Sequence, residues 1–178
     1  HCATISSPYG TMGLAWRAAP EGVQVVHIYL PNRWAALPPS QREAAVSVHL
    51  PAPLAKLVDD MRRFLDGQPV ELSVELLALG DCTPFQRRVL AAEYGVPRGR
   101  VSTYGRLAAH IGLTRGARAV GGALASNPFP IVIPCHRTIA ADGSLGGFGG
   151  GLEMKRGLLR AEGVVVEHGR VSEARYWY

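Results

Sequence analysis

The spacing of apolar and polar positions divides the chain into two halves of different texture. In the first half, "VQVVHIYL" (Val23–Leu30) is apolar and β-branched and predicts a strand. Upstream of it, "SPYGTMGLAWR" sets turn residues between short apolar stretches, the pattern of a hairpin. The proline-rich segment 31–53 predicts an irregular connection. In "PLAKLVDDMRRFLDG", Leu54, Leu57, Val58, Met61 and Leu65 fall on one helical face, with Gly67 as the stop. "VELSVELLAL" reads as a closing strand.

The second half has helical spacing. In "CTPFQRRVLAAEYG", Thr83 is placed to cap a helix, with Pro84 at its first position, Gln86 as the capping-box partner and Gly95 past its end. "VPRGRVSTYGRLAAHIG" predicts a loop and then a helix from about Tyr104 to Ile111, stopped by Gly112. Thr114 is placed to cap a third helix, "RGARAVGGALASN", with Asn127 as a left-handed stop. Two short helices about a Gly-containing turn form a helix-turn-helix pattern. A last helix, "LEMKRGLLRAEG", ends at Gly163. Glu162 sits in its final turn, where the helix dipole disfavours an anion; either another group holds it there or the end is frayed and exposed.

These elements imply an α/β (α+β) chain in three parts. Residues 1–81 form a small strand-rich supporting domain with a helix, and residues 82–163 a mainly helical domain with a helix-turn-helix. Residues 164–178 form a tail whose Tyr176, Trp177 and Tyr178 are expected to cap the core rather than meet a partner.

Composition narrows the class. The chain has 178 residues, 47% of them hydrophobic, and no apolar run near the ~20 residues of a membrane-spanning helix. No signal-peptide pattern is visible. Three widely spaced cysteines, Cys2, Cys82 and Cys135, argue against a secreted disulfide framework and for a reducing compartment. The expected location is cytoplasmic, with the nucleoid in a prokaryote, or nuclear in a eukaryote. Charge is uneven. Residues 1–81 carry six Lys/Arg and eight Asp/Glu, whereas residues 82–163 carry eleven and four. The basic excess of the second half is either a solvated face or the footprint of a polyanion such as nucleic acid.

The chemistry concentrates in "NPFPIVIPCHRTIAADG". Pro128, Pro130 and Pro134 each fix φ and remove a backbone donor. Ile131, Val132 and Ile133 between them read as a short buried strand, from whose end Cys135 and His136 emerge together. A thiol beside an imidazole suggests nucleophilic catalysis, since the thiolate is the reactive species. Neighbours on an extended segment point to opposite sides, so His136 acts through a water or a bend. A buried inert thiol fits the same spacing. A structural zinc site wants four ligands in paired clusters, and the chain has none; only His1, Cys2, His27 and His49 are candidates to meet in the first domain. After the pair, Gly146, Gly147, Gly149, Gly150 and Gly151 surround Phe148 in a loop whose backbone can approach a ligand closely.

Taken jointly, "RAVGGALASNP", "IPCHR", the Gly-rich loop and "GLEMKRGLLRAEG" resemble the O6-alkylguanine-DNA alkyltransferase family. The resemblance spans residues 82–163 and, in the first domain, extends only to layout. It implies DNA repair by irreversible, single-use transfer of an alkyl group from O6-alkylguanine, and by extension O4-alkylthymine, to Cys135. It further implies that His136 deprotonates Cys135 through a water and that Glu162 orients His136. Arg118 is implied to enter the base stack in place of the extruded nucleotide, with Arg115, Ala119 and Gly122 as further DNA-contacting positions. Tyr104 crowds the phosphate and hydrogen-bonds the departing guanine. Asn127 ties the recognition helix to the reactive loop, and Pro130, Thr138, Phe148 and Gly149 line the base pocket. The implied partner is double-stranded DNA, met through the minor groove with little sequence preference. No metal, no cofactor and no membrane are expected, and the protein is expected to be a monomer.

Many relatives carry tyrosine at Phe148 and a hydroxyl or larger residue at Gly149, so a wider pocket is implied here, tolerant of benzyl adducts. Three other readings compete with this one. A non-enzymatic lesion-binding relative typically has Trp at the acceptor position, and Cys135 argues against it. A Cys–His–Glu thiol hydrolase would turn over an ester or amide. A helix-turn-helix regulator would bind specific sequences and be indifferent to Cys135→Ser.

Overall fold

In the computed structural model, which describes residues 1–43, 49–171 and 175–178, the chain forms two compact units. The first comprises His1–Leu79 and Pro128–Val132, the second Gly80–Asn127 and Ile133–Tyr178. Helix and strand are mixed in small elements, an α+β fold as the sequence led us to expect.

The first unit is built on an antiparallel sheet in the order β1 (Cys2–Ile5), β2 (Met12–Ala19), β3 (Gly22–Tyr29). The predicted hairpin and the Val23–Leu30 strand are both present, with a bulge in the pairing at Ala15/Trp16. Ile5, Met12, Leu14 and Ile28 are fully buried. Helix α3 (Ala52–Leu65) buries all five apolar positions expected of it, together with Phe64. Gly67 follows with φ 87°, a left-handed turn that suits a residue without Cβ.

Two expectations for this unit fail. Segment 31–53 is not wholly irregular, since Pro31 opens α1 (Pro31–Ala35) and Pro39 opens α2 (Pro39–Glu43). Proline's fixed φ and missing N–H suit a first helical turn, so the prolines start helices here rather than break them. Residues 44–48 of the same segment lie outside the described residues. α1 buries Trp34, whose ring occupies the space a side chain at Gly13 would need: a Cβ there would sit 2.0 Å from it. "VELSVELLAL" forms no strand. It makes one parallel bridge, Leu77 to Val25, with Val25 N donating to Leu76 O and Ala78 N to Val25 O.

The second unit begins with α4 (Pro84–Tyr94), α5 (Tyr104–His110) and α6 (Ala117–Ala125). α5 and α6, joined through Gly112 at φ 79°, are the helix-turn-helix. Thr83 caps α4 as expected, accepting from Gln86 N at 3.2 Å. The capping box is not reciprocal, however. The Gln86 amide donates instead to Ser126 O and Oγ, at 3.1 and 3.2 Å, which satisfies the end of α6. Thr114 does not cap α6, because the helix starts three residues later, after Gly116. Nor is Asn127 left-handed; α6 closes at Ser126 with φ −100°.

A parallel pair then joins distant segments. β4 (Ser102–Thr103) pairs with β5 (Thr138–Ile139). Because β4 runs straight into Tyr104 and β5 follows directly from Cys135–Arg137, this short pairing fixes the start of α5 against the cysteine turn. α7 (Leu152–Ala161) buries Met154, Lys155, Leu158 and Leu159. Leu159 joins Val101, Ile139, Leu145, Val164 and Val171 in one apolar cluster, against which Tyr176 packs. The hairpin β6 (Val166–Glu167) and β7 (Arg170–Val171) leads to the tail. There Trp177 N donates to Val101 O, the Tyr178 hydroxyl donates to Ala92 O, and the Tyr178 ring stacks on His110 at 3.7 Å. Tyr176 thus packs on its own unit as expected, whereas Trp177 and Tyr178 stay exposed although both hydrogen-bond to it.

Candidate active site

Cys135 opens a single 3-10 turn, Cys135–Arg137, directly after Pro134. The expected strand before it is absent. Ile131, Val132 and Ile133 are buried, but Ile131 turns with φ 76°, and segment Pro128–Val132 packs with the first unit, where Ile28 N donates to Pro128 O. Three prolines leave few backbone donors for a ladder, which accounts for a buried turn in place of a strand. The tight turn also supplies the bend that an extended segment lacks. Cys135 and His136 are thus neighbours on a helical turn.

His136 is fully buried, and its Nε2 lies 2.9 Å from Glu162 Oε1. Glu162, the C-cap of α7, is buried rather than frayed. What holds it against the helix dipole is Arg137. That guanidinium donates from Nε to both carboxylate oxygens at 3.2 and 2.9 Å, from Nη2 to Oε1 at 2.8 Å, and from Nη1 to Val96 O at 2.6 Å. Burial alone would raise the Glu162 pKa. The charge and hydrogen bond of His136, with the hydrogen bonds and charge of Arg137, outweigh it and hold the carboxyl at about 2. Burial lowers His136, against the charge and hydrogen bond of Glu162, so the ring is neutral at neutral pH and able to accept a proton.

The thiol itself is held protonated. Burial raises Cys135 to about 11, and the Glu93 charge adds to this, while an Asn127 hydrogen bond and the Lys155 ammonium oppose it. The Asn127 amide also donates to Ile133 O at 3.2 Å, so this residue spans from the end of α6 to the cysteine turn. The Tyr104 ring lies between α6 and the Gly-rich loop. A Cβ at Gly121 would stand 3.7 Å from the ring, and one at Gly146, already at φ 65°, 3.4 Å from the hydroxyl. Phe148 presents its ring edge-on to His136 at 6.4 Å.

The structure therefore gathers Cys135, His136, Glu162, Asn127, Tyr104, Thr138 and Phe148 in the second unit, with His136, Thr138 and Glu162 buried, Cys135, Asn127, Tyr104 and Phe148 half-buried, and Gly149 exposed beside Phe148. Arg115, Arg118, Ala119 and Gly122 are elsewhere, exposed along α6 and the turn before it, and a Cβ at Gly122 would meet nothing within 4 Å. Pro130 is buried in the segment counted with the first unit.

Sequence reasoning missed three charged residues. Arg137 stands in the quoted motif but was given no role. Lys155 is fully buried and donates to Thr138 O at 2.6 Å and Gly147 O at 3.2 Å. Glu93, on α4, is also fully buried and accepts from the Thr138 hydroxyl. Each of the last two occupies an apolar position of its helix.

The buried pairs set an acid response. Glu162 is depressed from its ordinary 4.5 to about 2, so its contribution is complete above 4.5 and lost as pH falls toward 2. The size is about 3 kcal/mol. Between 7 and 4.5, His136 and Glu93 act oppositely. The lowered His136 costs stability as pH falls, and Glu93, raised to about 7, restores it. Urea midpoints are thus expected to drop steeply as pH falls below 4.5. A drop of equal size in Glu162→Gln would contradict this assignment.

The chain is similar to known proteins over most of its length. The family model for the DNA-binding domain of 6-O-methylguanine DNA methyltransferase matches residues 84–164. A methylated-DNA–protein-cysteine methyltransferase of Methanothermobacter thermautotrophicus is 47% identical over 117 residues, 66% of this chain and 65% of that protein. Its namesake in Mycobacterium tuberculosis is 37% identical over 164 residues, 91% of this chain and 92% of the relative. The crystal structure of Mycobacterium tuberculosis OGT in complex with DNA superposes with a TM-score of 0.71 at 36% identity, covering 92% of this chain and 93% of that one. With a buried His136–Glu162 pair next to a half-buried Cys135, a helix-turn-helix in the same unit and similarity across nine-tenths of its length, the chain belongs to the methylated-DNA–protein-cysteine methyltransferase family.

Proposed function

We propose that this protein repairs DNA by moving the alkyl group of O6-alkylguanine onto Cys135, and that each molecule does so once. The observation that carries this reading is the buried Arg137–Glu162–His136 chain ending beside the thiol. At rest Cys135 is a protonated thiol, a poor nucleophile, so a base must act with it. His136 serves through its Nδ1 and a bridging water, while Nε2 stays against Glu162. The growing charge on the ring is stabilised by a carboxylate that remains ionised. The thiolate attacks the alkyl carbon, the S–C bond forms, and the C–O6 bond breaks with its electron pair going to guanine. Burial raises Tyr104, which therefore stays a phenol able to donate to the departing base. The thioether has no leaving route under these conditions, hence the single use. O4-alkylthymine offers the same alkyl–oxygen bond.

The lesion lies inside a duplex and must be flipped out, at a cost of a few kcal/mol. We assign the second unit, with α5 and α6, to DNA and the first to support. Arg118, exposed near the start of α6, fills the vacated stack, and Arg115, Ala119 and Gly122 follow the backbone through the minor groove, where sequence information is poor. Asn127, Thr138, Phe148 and Gly149 of the second unit receive the base. The protein works as a monomer in the cytoplasm, or wherever the chromosome lies under reducing conditions. Among the described residues no helix is long and apolar enough to cross a membrane.

Titration of O6-methylguanine duplex with the protein tests this. Repaired guanine should rise in proportion to protein and stop at one per molecule; continued turnover would contradict it. With glycine at 149 and no hydroxyl on Phe148, O6-benzylguanine is expected to label the same residue readily. Labelling far slower than by methylated duplex would count against the open pocket.

A further inference from the structure

Glu93 has no part in the chemistry above, yet it is a carboxylate with no exposure at all. One oxygen, Oε2, accepts from the Thr138 hydroxyl; the other, Oε1, is buried and meets no hydrogen-bond partner among the described residues. An unsatisfied buried carboxylate oxygen costs stability, and apolar Val89, Leu90 and Ala92 on the same helix show that the position is a core one. On the other side of Thr138, the equally buried Lys155 donates to that residue's carbonyl. Thr138 is thus held by its hydroxyl from α4 and by its carbonyl from α7.

The groups that face Glu93 electrostatically are Lys155 on α7, Arg137 in the cysteine turn, Tyr104 on α5, Tyr178 in the tail, Thr138 and Cys135 itself. Arg137 is committed to Glu162. That leaves one buried amine, Lys155, which donates to the Thr138 and Gly147 carbonyls; burial lowers it to about 8, and the charges of two acids, Cys135 and Glu93, act against burial to keep it an ammonium.

We propose that Glu93 is an electrostatic positioning residue for the thiol, competing with Cys135 for the charge of Lys155, so that an ionised Glu93 holds Cys135 as the thiol and a neutral Glu93 lets the thiolate form. The exchange conserves protons, since carboxylate with thiol and carboxylic acid with thiolate carry the same number. It also needs no movement. On protonation, Oε2 turns from acceptor to donor, and the Thr138 hydroxyl serves either way. Burial raises Glu93 to about 7, against the Thr138 hydrogen bond and the charges of Lys155 and Arg137, so both states are populated near neutrality.

This inference rests on the reading of Cys135 as the nucleophile. The test is the pH dependence of Cys135 alkylation by iodoacetamide, followed by peptide mass spectrometry, in wild type, Glu93→Gln, Glu93→Leu and Glu93→Asp, each confirmed to melt cooperatively. Either neutral variant should lower the midpoint by about one unit, and Glu93→Asp, which keeps the charge, should stay with wild type. The leucine variant serves if the buried amide is not tolerated. Midpoints unchanged in the neutral variants, or lowered equally in Glu93→Asp, would overturn the proposal. Iodoacetamide needs no DNA. A shift seen in a protein that takes no methyl from O6-methylguanine duplex would therefore leave this inference standing and sink the assigned function.

Discussion

Glu162→Gln is expected to slow alkyl transfer by about 10²-fold, the scale of a displaced general base, and to cost about 3 kcal/mol of stability. Both effects follow from one carboxylate serving a buried guanidinium and a buried imidazole at once. It accepts from the Arg137 guanidinium at three distances of 3.2 Å or less and meets His136 Nε2 at 2.9 Å. A glutamine keeps the shape but offers one acceptor oxygen, so Arg137 is left buried and short of a counter-charge. His136 loses the anion that stabilises its protonated form, and its ring is no longer held in one tautomer. Single-turnover transfer and urea denaturation on the same variant check the two halves separately. A large loss of stability with an unchanged transfer rate would mean that the carboxylate is structural only.

Arg118→Ala is expected to cut transfer from duplex DNA by about 10²-fold, the equivalent of the few kcal/mol needed to keep a base extruded. The same variant should leave labelling by free O6-benzylguanine unchanged, since a free base needs no flipping. The reasoning is spatial. Arg118 is exposed on α6, apart from the buried cluster around Cys135, and contributes nothing to the charge balance that sets the thiol. Removing it therefore tests recognition without touching chemistry. Equal loss on duplex and free base would contradict the separation.

Much of this was legible in the sequence because local signals and burial agreed. The α3 stripe from Leu54 to Leu65, the Thr83 cap and the glycine stops at 67 and 112 each have a local cause, and each appears where it was expected. Failures came where tertiary contacts decide. Gln86 could have closed its own capping box, but Ser126, forty residues on, offered it two acceptors. "VELSVELLAL" has strand propensity yet meets only Val25 as a bridge partner. The missed charges were partly readable. Glu93 lies four and three residues beyond Val89 and Leu90, and Lys155 lies three and four before Leu158 and Leu159, so both interrupt an apolar stripe. Charged residues at core positions are almost never buried without partners. That signal marks a site but does not say that both would close on Thr138.

The central claim is that Cys135 is the acceptor. Intact-protein mass after mixing with excess O6-methylguanine duplex, followed by peptide mapping, tests it most directly, with Cys135→Ser alongside. The expected result is a gain of one methyl group per molecule, located on Cys135 and absent from the serine variant, which still binds the duplex. No gain in the wild type, or a methyl found on Cys2 or Cys82, would contradict it.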